Sequence, residues 1–147
     1  HLNLREALNK GVEVFVSYTK RVNKHSVHFS GNYTYTNATD RTTGKPLPYA
    51  PKHLSNYNLE YGYDRFKFYV QDLYQSNVYT NMLSLKFYSL EQVRVLNLGV
   101  DVTLFQKTNN ELTLGAKVNN IANELYYFTN LRPMPGRNYA ITFNYKF

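Results

Sequence analysis

His1, His25, His28 and His53 are the side chains best suited to ligating a metal or heme. No two of them stand two or four positions apart, and no His-Glu-x-x-His run occurs. They read as isolated residues of polar faces. Asp40, Arg41, Thr42, Thr43 and Gly44 gather a carboxylate, a cation and two hydroxyls, a run that reads as a solvated loop with a turn and not as a phosphate cradle. Ser, His and Asp are all present without a Gly-x-Ser-x-Gly or comparable nucleophile setting, so no enzymatic activity is expected. The absence of Cys removes disulfides, thiolate metal sites and cysteine nucleophiles. No cofactor is expected. Sequons begin at Asn32 and Asn37, and with Asn32 inside a strand they read as chance.

Seventeen Lys and Arg against ten Asp and Glu give a net charge of +7, which favours nucleic acid or an anionic membrane surface as partner. The basic residues are spread over turns and both strand faces instead of one strand pair, which speaks against nucleic acid. Fifteen Tyr and nine Phe are too many large apolar groups for a disordered chain. No run approaches the roughly 18 apolar residues of a membrane helix. The opening ten residues lack the basic start, apolar middle and cleavage site of a secretory signal, so any such signal is expected to lie outside this sequence.

Period two runs through nearly the whole chain and gives the elements that must carry any site. Val27, Phe29, Gly31, Tyr33 and Tyr35 alternate with His28, Ser30, Asn32, Thr34 and Thr36. The same alternation marks Gly11 to Tyr18, Leu54 to Tyr63, Val93 to Phe105, Leu112 to Asn119 and Asn138 to Phe147. Phe66 to Tyr74 alternates too, but Asp72 falls in phase with Phe66, Phe68 and Val70; a bulge or a place near the water interface would accommodate it. Leu2 to Lys10 alone suggests a short helix. Short turns at Lys20 to Lys24, Asp64 to Arg65 and Gln106 to Asn110 alternate with long links at Asn37 to Lys52, Asn81 to Gln92 and Asn123 to Pro135. The expectation is an all-β, antiparallel up-and-down meander of about seven strands in a single unit covering residues 1–147.

The minor face is Asn, Ser, Thr and Gly with scattered charges, whereas the major face carries Tyr and Phe near the strand ends. Lipid cannot hydrogen-bond the backbone, so strands in it must pair completely and turn their apolar side outward, between aromatic girdles. That predicts a transmembrane β-barrel segment. Seven is an odd count, and the first and last strands would run the same way, so the seven are expected to be the C-terminal arc of a larger barrel. Two alternatives stay open: a small independent outer-membrane barrel with a structural or adhesive role, and a soluble lipid-binding barrel whose apolar face points inward.

Specific runs add a resemblance. Gly-Val-Glu at 11–13, Tyr-Thr-Tyr-Thr at 33–36, Leu-Pro-Tyr-Ala-Pro-Lys-His at 47–53 and Val-Asn-Asn-Ile-Ala-Asn-Glu-Leu-Tyr-Tyr at 118–127 resemble the closing strands of TonB-dependent outer-membrane receptors. Met-Pro-Gly-Arg-Asn-Tyr at 134–139, before a strand ending on Phe147, is similar to the vitamin B12 and ferric-siderophore branch. Where that family commonly has Asn-Leu-Phe-Asp, this chain has Asn120, Ile121, Ala122 and Asn123.

The resemblance implies a barrel of about 22 strands in the bacterial outer membrane, filled by a plug domain. The TonB system, acting through the plug, would drive import of a scarce nutrient such as ferric siderophore, heme or cobalamin. Plug and earlier strands would lie outside this chain, and outer-membrane lipid would surround it. Substrate contacts would then fall at the outer rim, on Tyr79, Asn81, Tyr126, Tyr127 and Arg132: a Tyr can stack on a flat ligand and an Arg can pair with an acidic one. The same residues also suit an interfacial girdle and acidic headgroups. Tyr139, Ile141, Phe143, Tyr145 and Phe147 resemble the terminal signal read by the barrel-assembly machinery, by strand addition to an exposed edge.

Overall fold

A computed structural model describes residues 6–81, 83, 85, 88–107 and 110–147. Its strands are β1 (Ala7–Val22), β2 (His25–Asp40), β3 (His53–Tyr63), β4 (Phe66–Gln75), β5 (Val78–Tyr79), β6 (Ser89–Leu90), β7 (Val93–Lys107), β8 (Asn110–Asn119), β9 (Tyr127–Thr129), β10 (Arg132–Pro133) and β11 (Asn138–Lys146). Seven of them form one antiparallel sheet in the order β1-β2-β3-β4-β7-β8-β11. The short pairs β5–β6 and β9–β10 lie in two of the long links, where alternation is too brief to be read from sequence. β1 and β11 each have one unpaired edge and run in the same direction.

Two tight turns among the described residues begin with residues that tolerate a left-handed backbone: Asn23 at φ 54° and Asp64 at φ 52°. Their tips are tied together, with the Asp64 amide donating to the Lys24 carbonyl at 3.1 Å and Lys24 Nζ 3.3 Å from Asp64 Oδ1. At the other end the link after β2 folds back on its own strand, where Leu47 N bonds to Ala38 O (2.9 Å) and Asp40 N to Lys45 O (2.9 Å).

The two faces differ in what covers them. Val12, Val14, Val16, Leu59, Phe68, Ile141 and Phe143 are all exposed, from 46% to 76%, on the apolar face. Among the described residues the buried apolar side chains are Val78, Val93 and Val95, all at the long-link end. An apolar face this large is not the inside of a sealed core. Aromatics bracket it in two belts: Tyr18, Tyr61, Tyr63, Phe66 and Tyr145 toward the short turns, and Tyr33, Tyr35, Tyr57, Tyr74 and Tyr139 toward the long links. One register row runs from Tyr18 through Phe29, Leu59, Val70, Leu98 and Val118 to Tyr139, so it crosses from one belt to the other.

Several sequence expectations need correction. Ala7 to Lys10 are strand, not helix, because they pair with Asp40 to Asn37 of β2; residues 2–5 lie outside the described residues. β4 has no bulge at Asp72, whose ladders to β3 and β7 are continuous. Asp72 does sit on the apolar face, beside the long-link belt, where Arg94 grips it through two hydrogen bonds of 3.1 and 3.0 Å. A bidentate pair of this kind keeps both charges partnered. The shift occurs instead in β7, between Thr103 and Phe105, and it brings Phe105 opposite Leu112 on the apolar face. His25 and His53 are also on that face, paired across strands with Tyr63 and Tyr35, and they bond to the hydroxyls of Tyr61 (2.8 Å) and Tyr33 (2.7 Å). They extend the belts. His28 is on the polar face, bonded to Thr19 Oγ1 at 2.8 Å, and His1 lies outside the described residues.

On the polar face, Gly99 lets the Tyr69 ring lie flat across β7; a Cβ there would collide with that ring. Gly99→Val is therefore expected to displace Tyr69 and lower stability by about 1–3 kcal/mol. The check is the denaturation midpoint of the folded full-length protein in detergent, and an unchanged midpoint would refute the packing role of Gly99.

Candidate functional site

Alternation places the polar side chains of five adjacent strands on one surface. Ser17, Ser30, Asn58, Gln71 and Asn97 form a continuous register row of hydroxyls and carboxamides from β1 to β7. The neighbouring row toward the long links reads Phe15, Asn32, Asn56, Leu73 and Val95. These rows line a hollow of about 530 Å³. Toward the short turns lie two further rows with charged groups: in one Lys67 Nζ is 3.3 Å from Asp101 Oδ2, and from the other Lys117 Nζ donates to Gln71 Oε1 at 3.0 Å. Register assigns Glu13, Asp40, Glu60, Asp101 and Glu111 to this face, and Arg21, Lys67, Lys117 and Lys146 with them. Among the described residues the wall has no excess of positive charge although the chain carries +7.

Within the hollow the carboxamides differ in what they touch. Asn58 Nδ2 donates to Glu60 Oε1 at 2.9 Å, while Asn58 Oδ1 is buried without a partner. Such an acceptor costs free energy unless something from outside satisfies it. Phe15, like Leu73 and Val95 of the same row, breaks the polar pattern, and it is 69% exposed beside Asn32.

A second hollow, of about 280 Å³, opens at the long-link end between Tyr126, Phe128, Met134, Asn97, Asn119 and Asn138. Its floor is the link after β8. Asn120 is 1% exposed with φ 52°, and its side chain fastens that link: Nδ2 donates to Glu124 O (2.8 Å) and Oδ1 accepts from Glu124 N (3.0 Å). The Asn120 amide donates to Asn97 Oδ1 at 2.9 Å. Asn123, at φ 57°, accepts from Arg137 N through Oδ1 at 2.8 Å. A carboxamide oxygen serves here as a carboxylate would, and Asn tolerates the left-handed backbone, so Asn123 in place of Asp leaves the turn intact.

The five rim residues expected from sequence lie on two links, which meet where β6, the partner of β5, contacts β9. Tyr126 lines the second hollow, edge-on to Phe128 with ring centroids 5.3 Å apart. Tyr127, half-buried in β9, pairs with Pro133, and Arg132 is exposed in β10 opposite Thr129. Tyr79 and Asn81 belong to another link, where the Tyr79 carbonyl accepts from Tyr49 N (2.8 Å) and Asn81 Oδ1 from Leu83 N (3.0 Å). The residues that sequence reasoning missed are Phe15, Asn32, Asn56, Asn58, Asn97 and Asn119. Their alternation was visible; that they fall in adjacent rows depends on strand register, which no single strand encodes.

The Asp40 loop is closed on itself, because Oδ1 of Asp40 accepts from the amides of Thr42 and Thr43, both at 2.8 Å. The Thr43 amide foremost, with the Thr43 hydroxyl and the Thr42 amide adding to it, outweighs desolvation and holds the Asp40 carboxyl below its usual pKa. Those amides are taken, so they cannot cradle a phosphate.

An antiparallel sheet with an exposed, aromatic-belted apolar face and a polar concave one is the arrangement of a β-barrel wall. The chain matches, over residues 2–121, the family described as TonB dependent receptor-like, beta-barrel, and it belongs to that family. Members of the family are outer-membrane receptors and transporters, not enzymes. The match ends inside the run 118–127 and does not include 134–139. No curated protein matches the chain.

Asn120→Ala is expected to loosen residues 121–137 so that protease cuts them in the otherwise folded protein, at a cost of about 2–4 kcal/mol. Cleavage at the wild-type rate would show that the side chain does not hold the link.

Proposed function

We propose that these residues form part of a transmembrane barrel of about 22 strands in the bacterial outer membrane. With a plug domain and the TonB system, that barrel actively imports a scarce nutrient such as ferric siderophore, heme or cobalamin. The observation that carries this reading is the oblique course of the aromatic belts. Tyr18 shares its register row with Tyr139, while on β11 the short-turn belt is reached six residues later, at Tyr145. A drop of six residues at roughly 3.3 Å each, over six strand-to-strand steps of roughly 4.8 Å, is a slope of about 35°. Barrel strands tilt by roughly 35–45° against the membrane normal, so belts that are level with a membrane must cross the register at such an angle.

Closure of an antiparallel barrel requires its first and last strands to be antiparallel. β1 and β11 are parallel, so the seven strands need others between those edges, which favours a large receptor over a small independent barrel. The exposed apolar face likewise disfavours a soluble lipid-binding barrel.

Within the same reading β11 is the strand offered to the barrel-assembly machinery. Tyr139, Ile141, Phe143, Tyr145 and Phe147 are 72%, 72%, 76%, 56% and 93% exposed along one side, and the outer edge of the strand is unpaired. An open edge with an unbroken apolar side suits strand addition. Deleting Phe147 from the full-length protein is expected to lower the amount of heat-resistant folded barrel in the outer membrane several-fold. Unchanged yield would remove the assembly role, and substrate uptake that persists without TonB would remove the import reading.

A further inference from the structure

Where the β1–β2 and β3–β4 hairpins end, cations border the apolar face. Lys20 lies on that face two residues beyond Tyr18, in the register row Lys20, Val27, Tyr61 and Phe68. Lys24 and Arg65 occupy the two adjoining turns, and all three cations are exposed. Asp64 is the acidic residue of this patch, and Lys24 Nζ engages it at 3.3 Å. Among the described residues Lys20 and Arg65 form no ion pair, so three cations face one acid. Asp101 and Glu111, at the same end of the sheet, belong to the opposite, polar face. Beneath the cations the aromatic belt is fixed in place: the His25 ring packs on Tyr63 with centroids 4.8 Å apart and bonds to the Tyr61 hydroxyl at 2.8 Å.

We propose that this patch binds the headgroup of an anionic phospholipid in the leaflet bordering the short turns. Lys20 and Arg65 reach its phosphate from two sides, and its acyl chains lie along Val27, Leu59 and Phe68. The inference rests on the membrane reading of the apolar face and is independent of any cargo. Charge complementarity selects the occupant. Two cations without partners, set just past an aromatic belt, match an amphiphile whose negative group sits at the same depth. A zwitterionic headgroup brings its own ammonium and gains less from them. Lys20 and the β3–β4 turn are two to three strand spacings apart, roughly 10–15 Å, a gap that two long side chains can close around one headgroup. The Lys24–Asp64 pair lies between them and limits the attraction, because it presents a carboxylate to the same phosphate.

The test uses the full-length receptor in neutral detergent with a phosphatidylglycerol that carries a photoactivatable group on one acyl chain, its adducts being mapped by peptide mass. Adducts are expected within residues 18–27 and 59–68, several-fold more than with the matching phosphatidylcholine, and added salt is expected to reduce them. Lys20→Gln together with Arg65→Gln is expected to lower that yield by roughly tenfold or more, since each cation near an anionic lipid contributes a factor of roughly five. Two further variants separate charge from structure. Asp64→Asn keeps a residue that tolerates the left-handed backbone and frees Lys24, so it is expected to raise the yield; Arg21→Gln, on the polar face of the same hairpin, is expected to leave it unchanged. Folded yield and denaturation midpoint of each variant distinguish lost binding from misfolding. The proposal is overturned if phosphatidylcholine labels the patch equally, if the double variant is labelled like the wild type, or if Asp64→Asn lowers the yield in a folded protein. Displacement of the lipid by an equal concentration of glycerol phosphate would also overturn it, by making the patch a site for free phosphate esters. Absence of acyl-chain adducts on Val27, Leu59 and Phe68 with both lipids would remove the membrane reading itself, and the inference with it.

Discussion

Every structural feature of this chain depends on an unbroken antiparallel register. Each strand sends successive side chains to opposite faces, so a slip of one residue in any pairing would exchange that strand's apolar side for its polar one. Across β1 to β4 the ladders run without a shift, and Val, Leu, Tyr and Phe remain aligned through all of them. The irregularity that the described residues of the large sheet show, in β7 between Thr103 and Phe105, lies near the short-turn end, where a change of phase affects few residues. In hydrocarbon the same ladders would also satisfy the backbone, whose N–H and C=O groups find no water there.

The register has consequences for charge as well. Asp72 occupies the apolar face because its neighbours Val70 and Tyr74 do, and its place beside the long-link belt makes this tolerable through Arg94. Among the described strand residues the polar face sets five acidic residues against four basic ones. The excess positive charge of the chain therefore lies in turns, links and the rims of the outer face, where water or headgroups can solvate it.

Much of the fold was legible in the sequence because period two is a local signal. The seven long strands, the alternation of short and long connections and the identity of the two faces all follow from it. What was not legible has a common cause. The seven residues from Leu2 to Leu8 carry a weak local preference, and pairing with Asp40 and Thr39 decides that Ala7 and Leu8 extend β1. His25 and His53 were assigned to a polar face by residue type, whereas phase with Val27 and Tyr57 puts them among the tyrosines. The five rim residues were chosen by link, whereas contacts within and between links decide where each side chain lies, and Tyr126 is the one found lining the hollow of about 280 Å³. Asn32, Asn56 and Asn58 escaped notice because each is ordinary in its own strand.

The central claim is that the apolar face meets hydrocarbon while the polar face meets water. These 147 residues contain no Cys, so single labels can be placed among them once any Cys elsewhere in the full-length protein is replaced. Ile141→Cys and Thr142→Cys, adjacent on β11 but on opposite faces, carry a fluorophore in the full-length protein reconstituted into vesicles. Quenchers attached to lipid acyl chains should extinguish the label at 141 and spare that at 142, whereas aqueous iodide should do the reverse. Equal quenching of both positions by iodide, with none from the lipid phase at 141, would contradict the account.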